Sequence, residues 1–202
     1  MPTLYLTYGP THSGKSTFGK QLLGQLPNSA KTILVDNDTV EQFVQANFDN
    51  LRTDPQVLAR RTPEDPDLRL RIPQLIVGYA LGEGYDAIVT ASHSKGVIRQ
   101  KYLDIARQHG AQTVLLMFGT SKPEIKRRIE HSSRQGTDAG FHASSYEELL
   151  ERQAHMLHEP TTEEKAQYAS VWQIDEHNSE DVLQQLVASA WLATLACGHV
   201  AA

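Results

Sequence analysis

Hydrophobic and polar positions along this chain form two kinds of pattern, which alternate from one end to the other. Short apolar runs rich in β-branched residues are typical of buried strands in a parallel sheet. Five such runs predict strands at 3–8, 32–35, 87–91, 113–118 and 171–175. Apolar residues recur at helical spacing between them. The order of elements therefore predicts an α/β fold, with a mainly parallel five-stranded sheet and helices on both faces.

The intervening segments predict helices at 15–26, 39–48, 70–81, 95–109, 123–133, 146–158 and 181–195. The longest apolar stretch, from Val187 to Cys197, is too short to span a membrane. We predict that it is a buried terminal helix. Right-handed crossovers between parallel strands place a ligand at the carboxyl ends of those strands. Functional residues are therefore expected after the first four strands.

The first predicted strand leads directly into a glycine-rich loop and then into a helix. The loop consists of Gly9, Pro10, Thr11, His12, Ser13, Gly14, Lys15 and Ser16, and Thr17 follows it. This is the pattern Gly-x-x-x-x-Gly-Lys-Ser in its required context of strand, loop and helix, so the predicted fold is of the P-loop NTPase type. Glycine lets the backbone wrap around a phosphate, and the amide groups at a helix N-terminus face the anion. We predict that residues 9–17 bind nucleotide phosphates, with Lys15 at the β- and γ-phosphates and Ser16 on Mg²⁺.

Two carboxylates follow the second strand. Asp38 is predicted to take the proton of an acceptor hydroxyl during phosphoryl transfer. The alternatives for Asp38 are a contact with Mg²⁺ and a purely structural role, in which Asp38 or Thr39 caps the next helix. Asp36 is predicted to lie in the water shell of the metal.

The third strand ends in hydroxyl residues, Thr90 and Ser92, where P-loop enzymes usually carry an acidic residue that holds the magnesium water shell. Either Asp36 supplies the missing charge, or this protein binds the metal more weakly. His93, which comes next, is interpreted as a loop histidine with satisfied hydrogen bonds, the alternative being a contact with substrate.

A basic helix follows the fourth strand. It resembles a lid that faces phosphate, and we assign residues 122–163 to this lid region. Arginines stabilise the charge on a phosphoryl group in transfer, so Arg128 and Arg134 are candidate catalytic residues beside Lys15 and Asp38. The alternative is a solvated helix face, in which Glu124 and Glu130 pair with the basic side chains.

The segment 49–73 is predicted to be an insertion on the substrate side, within a single domain that spans 1–202. It contains four prolines and a cluster of arginines, which would bind an anionic acceptor: Arg52, Arg60, Arg61, Arg69 and Arg71.

Charge and cysteine content argue against a general nucleic-acid-binding protein and against disulfide or cysteine-metal sites. The net charge of −5 gives no overall attraction to nucleic acid, so contact with a nucleic-acid end would need a local basic patch. The single cysteine, Cys197, excludes an intramolecular disulfide and a cysteine-based metal cluster. The spacing of the histidines does not predict a zinc site. We expect a cytoplasmic protein that does not enter a membrane.

From Leu4 to about Glu164 the chain resembles the P-loop kinases that include polynucleotide kinase, gluconate kinase and zeta-toxin-type kinases, within the AAA-type ATP-binding group. Members carry an Asp after the second strand that activates the acceptor hydroxyl, and Asp38 matches it. The Arg that commonly follows three residues later is Glu41 here. Members often have Val-Asp-Ala-Thr-Asn after the third strand, whereas this chain has Thr90 in place of the acidic residue.

The resemblance implies a kinase that uses ATP and Mg²⁺ to phosphorylate a hydroxyl of a small molecule or a polynucleotide end. The alternative is a nucleotide-binding regulator or slow NTPase without an acceptor, which Thr90 and Glu41 favour. No Asn-Lys-x-Asp guanine-reading sequence is present, which favours ATP over GTP.

Overall fold

A computed structural model of the protein describes residues 1–47, 68–131, 151 and 154–198. Its sheet has five strands in the order β2-β3-β1-β4-β5, and every neighbouring pair is parallel. This confirms the predicted α/β fold. The strands are β1 (Thr3–Tyr8), β2 (Thr32–Asp36), β3 (Asp86–Thr90), β4 (Gln112–Phe118) and β5 (Ser170–Ile174).

Helices connect the strands, as the parallel pairing requires. Within the described residues they are α1 (Lys15–Gln25), α2 (Asn37–Asn47), α3 (Leu68–Gly82), α4 (Gly96–Gln108), α5 (Lys122–Glu130), α6 (Thr162–Lys165) and α7 (Ser179–Gly198). A single 3₁₀ turn, Ser29–Lys31, precedes β2. None of these helices is both long and apolar enough to cross a membrane.

Two hydrophobic clusters lie on the two faces of the sheet. Successive side chains of a strand point to opposite faces, so Leu4 and Leu6 of β1 join one cluster while Tyr5 joins the other. The first cluster also contains residues of α3 and α4, such as Val77 and Leu103. The second contains residues of α1 and α7. The helices therefore cover both faces, as predicted.

The prediction that Val187 to Cys197 is a buried terminal helix is wrong for most of its described side chains, although Val187 and Ala190 pack partly buried against the second cluster. Trp191, Leu192 and Leu195 are 50%, 68% and 59% exposed. The reason is geometric, because a helix of 20 residues is about 30 Å long. The neighbouring strand β5 has only 5 residues, which extend about 17 Å. The second half of α7 thus has no described strand beneath it to pack against.

The predicted helix cap before residues 39–48 is also corrected. Helix α2 begins at Asn37, and the Asp36 carboxylate accepts a 3.1 Å hydrogen bond from the backbone N–H of Thr39. A side-chain oxygen that bonds the third N–H of a helix is an N-cap contact. The cap is therefore Asp36, rather than Asp38 or Thr39.

Several predictions fall on residues outside the described ranges. They include most of the insertion 49–73, residues 132–150 of the lid region, most of the helix 146–158, and Arg134. Of the arginine cluster in the insertion, Arg71 has a described side chain, which is exposed.

Candidate active site

A cavity of about 720 Å³ opens at the carboxyl ends of the strands, and the glycine-rich loop forms its floor. Its volume is typical of pockets for small molecules and cofactors. Residues 11–17 of the loop line it directly. Gly9 and Gly14 adopt φ values of +142° and +98°, which glycine reaches without strain. Gly14 immediately precedes α1, so the loop turns into the helix N-terminus as the motif predicts.

The end of β4 packs tightly against the start of this loop. A Cβ on Gly9 would lie 2.6 Å from the carbonyl oxygen of Phe118, which excludes any larger residue. Farther along, the buried Thr120 hydroxyl donates a 3.0 Å hydrogen bond to the carbonyl of Ser13. The loop is therefore fixed from the β4 side, through contacts that the motif itself does not reveal.

Lys15 lies buried beneath the loop. Its ammonium group donates hydrogen bonds to the carbonyls of Gly9, at 3.1 Å, and Pro10, and to the hydroxyl of Ser13 at 3.2 Å. Burial lowers the pKa of Lys15 to about 8, against the opposing effect of the nearby Asp38 and Asp36 carboxylates. A buried cation with a depressed pKa at the end of a loop of amide groups is suited to binding an anion.

Ser16, Asp36 and Thr90 come together at the ends of three elements. The Asp36 carboxylate accepts hydrogen bonds from the Ser16 hydroxyl at 2.6 Å and from the Thr90 hydroxyl at 2.7 Å. These hydroxyls, together with Thr39, hold the pKa of Asp36 below its usual value, although partial burial opposes them. A carboxylate therefore stands beside Thr90, where the sequence of β3 lacks one.

Asp38 also lines the cavity, from the first turn of α2, and Glu41 lines it one turn farther on. Asp38 is close enough to Lys15 to favour its charged form. Gln21, Asn37, Ser92 and Ser94 also line the cavity. The cavity thus offers carboxylate, amide and hydroxyl groups to a bound hydroxyl compound.

The basic helix α5 presents one of its described cations to the cavity. Arg128 lines the cavity and lies 3.5 Å, through Nη1, from the carbonyl oxygen of His12, and it pairs with Glu124 at 2.8 Å. Arg127 also pairs with Glu124 but is 61% exposed, and Lys126 is exposed as well. The helix therefore has a solvated face, as one interpretation expects, and one arginine at the loop, while its role as a lid stays a prediction.

Some cavity residues were not predicted from the sequence. Phe118, Ile174 and Asp175 line it from the ends of β4 and β5, Ser179 lines it from the start of α7, and Met156 and Leu157 line it from the segment before α6. The rule that ligands bind at the carboxyl ends of parallel strands applies to the fifth strand as well, and this signal could have revealed Asp175. The sequence carries no comparable signal for Met156.

His93 is buried outside the cavity lining. Its Nδ1 donates a 2.6 Å hydrogen bond to the carbonyl of Thr7, and its ring packs edge-on against Tyr102. Burial lowers the pKa of His93 to about 4, so the ring is neutral. Its Nε2 atom has no hydrogen-bond partner among the described residues. The interpretation of a fully satisfied loop histidine is thus correct for one ring nitrogen and wrong for the other.

The donor set fits a magnesium nucleotide. Ser16 and Asp36 offer hard oxygen ligands of the kind that Mg²⁺ prefers. Within 1–47, 68–131 and 154–198, no group of three or more His, Cys, Asp or Glu side chains could hold a metal ion. A cation here would therefore need further oxygens, and phosphate groups supply them where Mg²⁺ is bound by only one or two protein carboxylates.

The family model for an AAA domain matches residues 4–160. The chain belongs to this AAA domain family. Comparison with curated proteins finds no significant match.

Solved structures of other proteins share the fold of this AAA domain protein. Kti12 of Chaetomium thermophilum, in complex with ADP-AlF3, is 15% identical with a TM-score of 0.65, and the match covers 93% of this chain and 97% of that one. A sugar kinase from Janibacter sp. HTCC2649 is 17% identical with a TM-score of 0.60, over 93% and 94%. A gluconokinase from Sinorhizobium meliloti 1021 is 17% identical with a TM-score of 0.57, over 100% and 98%. These similarities show a P-loop kinase-like fold.

Proposed function

We propose that this protein is an ATP-dependent phosphotransferase, which transfers the γ-phosphate of ATP to a hydroxyl of a small molecule or a polynucleotide end. The observation that carries the proposal is that four functional side chains line one cavity: Lys15, Ser16, Asp38 and Arg128. Ser16 is also hydrogen-bonded to Asp36. A cavity for a nucleotide alone does not require a carboxylate such as Asp38 in its lining. Two of the proteins with a similar fold are named as kinases, a sugar kinase and a gluconokinase, and these names support phosphoryl transfer as the reaction class.

In this proposal each side chain has a defined task. The loop amides and Lys15 hold the β- and γ-phosphates. Ser16 and Asp36 would hold Mg²⁺, which would neutralise phosphate charge. Asp38 accepts the proton of the acceptor hydroxyl while the hydroxyl oxygen forms its bond to the γ-phosphorus. The bond from that phosphorus to the β–γ bridging oxygen breaks, and ADP leaves. Arg128 stabilises the charge on the phosphoryl group in transfer.

The experiment is an assay with γ-labelled ATP and a panel of nucleosides, sugars and 5′-hydroxyl oligonucleotides. The proposal predicts label on at least one acceptor class. The Lys15→Met variant should abolish transfer. The Asp38→Asn variant should lower the transfer rate by about 10²-fold or more, the usual scale of general-base catalysis, with little change in ATP affinity. If Asp38→Asn transferred phosphate as fast as the wild type, the role of Asp38 would be wrong.

A second candidate is a nucleotide-binding regulator or slow NTPase. The presence of Glu41 in the cavity, where related kinases commonly carry an arginine, favours it. In the same assay this candidate predicts label only in free phosphate, whichever acceptor is supplied. We expect either activity in the cytoplasm, where a lone cysteine stays reduced.

A further inference from the structure

A buried ion pair lies next to the phosphate loop but outside the cavity. The Arg99 guanidinium, 1% exposed, bonds both carboxylate oxygens of Glu164, at 2.5 and 2.7 Å. Its third nitrogen, Nη1, donates a 2.7 Å hydrogen bond to the carbonyl of His93. Its planar group lies 5.2 Å from the ring centre of Tyr8, the residue that precedes Gly9. We call these four residues the Arg99 network.

The Arg99 network is joined to the loop 92–94, which forms one wall of the cavity through Ser92 and Ser94. On one side, His93 bonds the carbonyl of Thr7 in β1, and the backbone N–H of Gly9 donates to the carbonyl of Ser92 at 3.3 Å. The position of this wall therefore affects the first residue of the phosphate loop directly.

On the other side, the loop 92–94 is tied to the segment that leads into α6. The backbone N–H of His158 donates a 2.8 Å hydrogen bond to the carbonyl of Ser94. The residues just before it, Met156 and Leu157, line the cavity, and Glu164 follows six residues later in α6. Arg99 thus links the cavity wall 92–94 both to the end of β1 and to α6, the helix that follows the wall 156–158.

A buried charge is expensive to maintain unless it is fully paired. Apolar residues in the place of Arg99 and Glu164 would pack α4 against α6 without that cost. They would not hold the carbonyl of His93. This contact, rather than stability, is what the ion pair supplies to the site.

We propose that Arg99 is a positioning residue, which holds the His93 carbonyl and Glu164 so that the walls 92–94 and 156–158 are fixed against the phosphate loop. The proposal rests on the proposed function, because it treats this cavity as the nucleotide site. Arg99 acts on nucleotide affinity and on the hydrogen exchange of loop amides, and these effects are distinct from any effect on folding.

Three variants test the proposal. Glu164→Gln removes the charge of the partner with little change of shape, and Arg99→Lys removes the forked contact. The double variant Arg99→Met with Glu164→Leu replaces the pair by apolar side chains of similar size. The matched control is Glu159→Gln, which breaks the exposed ion pair with Lys165 in the same segment. The readouts are the melting temperature, the Kd for ATP with Mg²⁺, and the hydrogen exchange of amides 9–16 and 92–94 without nucleotide.

We expect Glu164→Gln and Arg99→Lys to raise the Kd by about 5- to 30-fold and to speed amide exchange in both segments. The double variant should melt no lower than the single variants yet keep the raised Kd and the faster exchange. Glu159→Gln should change neither. If the double variant regained both stability and wild-type affinity, the pair would be purely structural and the proposal wrong. If the wild type bound no ATP, the proposed function would be wrong. If hydrogen exchange of amides 9–16 were unchanged in the variants, the positioning role of Arg99 would be wrong, whatever the result for ATP.

Discussion

The hydroxyl of Thr90 donates a 2.7 Å hydrogen bond to the carboxylate of Asp36, its register partner on the adjacent strand. This contact brings a negative charge to the end of β3, although the charge belongs to β2. The missing acidic residue of β3 is therefore not a missing charge in the site. Of the two explanations that the sequence left open, the geometry favours the one in which Asp36 supplies it.

Replacing Thr90 by Val should raise the Mg²⁺ concentration that nucleotide binding requires. The variant keeps the shape of the side chain but removes a hydrogen bond to a charged group, which is worth about 1.5–3 kcal/mol. The pKa of Asp36 should rise as a result, and the Mg²⁺ concentration for half-maximal binding should increase about tenfold. Thr90→Ser, which keeps the hydroxyl, is the control and should stay near the wild type. Equal magnesium curves for Val and Ser at this position would contradict the role of the contact.

Two glycines of α1 provide a matched pair for a packing test. A Cβ on Gly19 would lie 2.6 Å from a methyl carbon of Thr90, whereas a Cβ on Gly24 would meet nothing within 4 Å. Gly19→Ala should therefore destabilise the protein by about 1–3 kcal/mol through overpacking and displace Thr90 from Asp36. Gly24→Ala should stabilise it by up to about 1 kcal/mol, the difference in helix propensity.

Urea unfolding of the two glycine variants measures these changes. The magnesium titration should be altered for Gly19→Ala alone. A stabilising effect at both positions would show that α1 is not in tight contact with β3.

Arg128 and Arg127 allow a comparison of two cations on the same helix. Both bond Glu124 and together lower its pKa to about 2, but Arg128 alone of the pair lines the cavity. Arg128→Ala should lower the rate of phosphate release or transfer by at least about tenfold, since a positioned donor to phosphoryl charge is lost. Arg127→Ala should leave this rate within about twofold, as expected for an exposed pair. Equal losses in both variants would indicate that only the overall charge of the helix matters.

Lys15 should make nucleotide binding depend on pH above neutrality. Burial lowers its pKa in the folded protein to about 8, while bound phosphate favours the charged form. Binding at pH 8.5 should therefore take up about three quarters of a proton, the fraction that a pKa of about 8 leaves unprotonated. Calorimetry in buffers of different ionisation heat measures this uptake. Lys15→Arg, which stays charged, should show none. Wild-type binding without proton uptake would contradict the depressed pKa.

The same pKa shift has a consequence for stability. The unfolded chain holds the Lys15 proton up to about pH 10.4, whereas the folded chain releases it near pH 8. Between these values the unfolded state binds more protons, so the contribution of Lys15 to the free energy of unfolding rises with pH. That contribution is complete above the unfolded pKa and is lost as the pH falls through the folded one.

The phosphate loop and the five strands could be predicted from the sequence because their signals are local. Residues 9–17 form a continuous motif, and each strand is a single apolar run. The contact between Asp36 and Thr90 depends instead on the strand order, in which β2 pairs with β3 rather than with β1. No local pattern encodes that order, so the partner of Asp36 could not be predicted.

The sequence contains a weak indication that Arg99 is buried. It lies three, four and seven residues before Tyr102, Leu103 and Ala106, which are all buried. This spacing places Arg99 on the apolar face of α4. A charged residue in that position needs a buried partner, but Glu164 lies 65 residues away in the chain. The sequence could thus have indicated that Arg99 is unusual, but not what it binds.

The carboxylate of Asp36 performs two tasks with its two oxygens, because Oδ1 accepts the N–H of Thr39 at the start of α2 and Oδ2 accepts the hydroxyls of Ser16 and Thr90. Helix α2 carries Asp38 and Glu41, so under the proposed function it is the element to alter in a redesign of the acceptor site. Such a redesign must leave the carboxylate of residue 36 in place. Residue 36 must keep a short side chain with two oxygen acceptors, and replacing it to alter metal preference would also shift the start of the helix that carries Asp38 and Glu41.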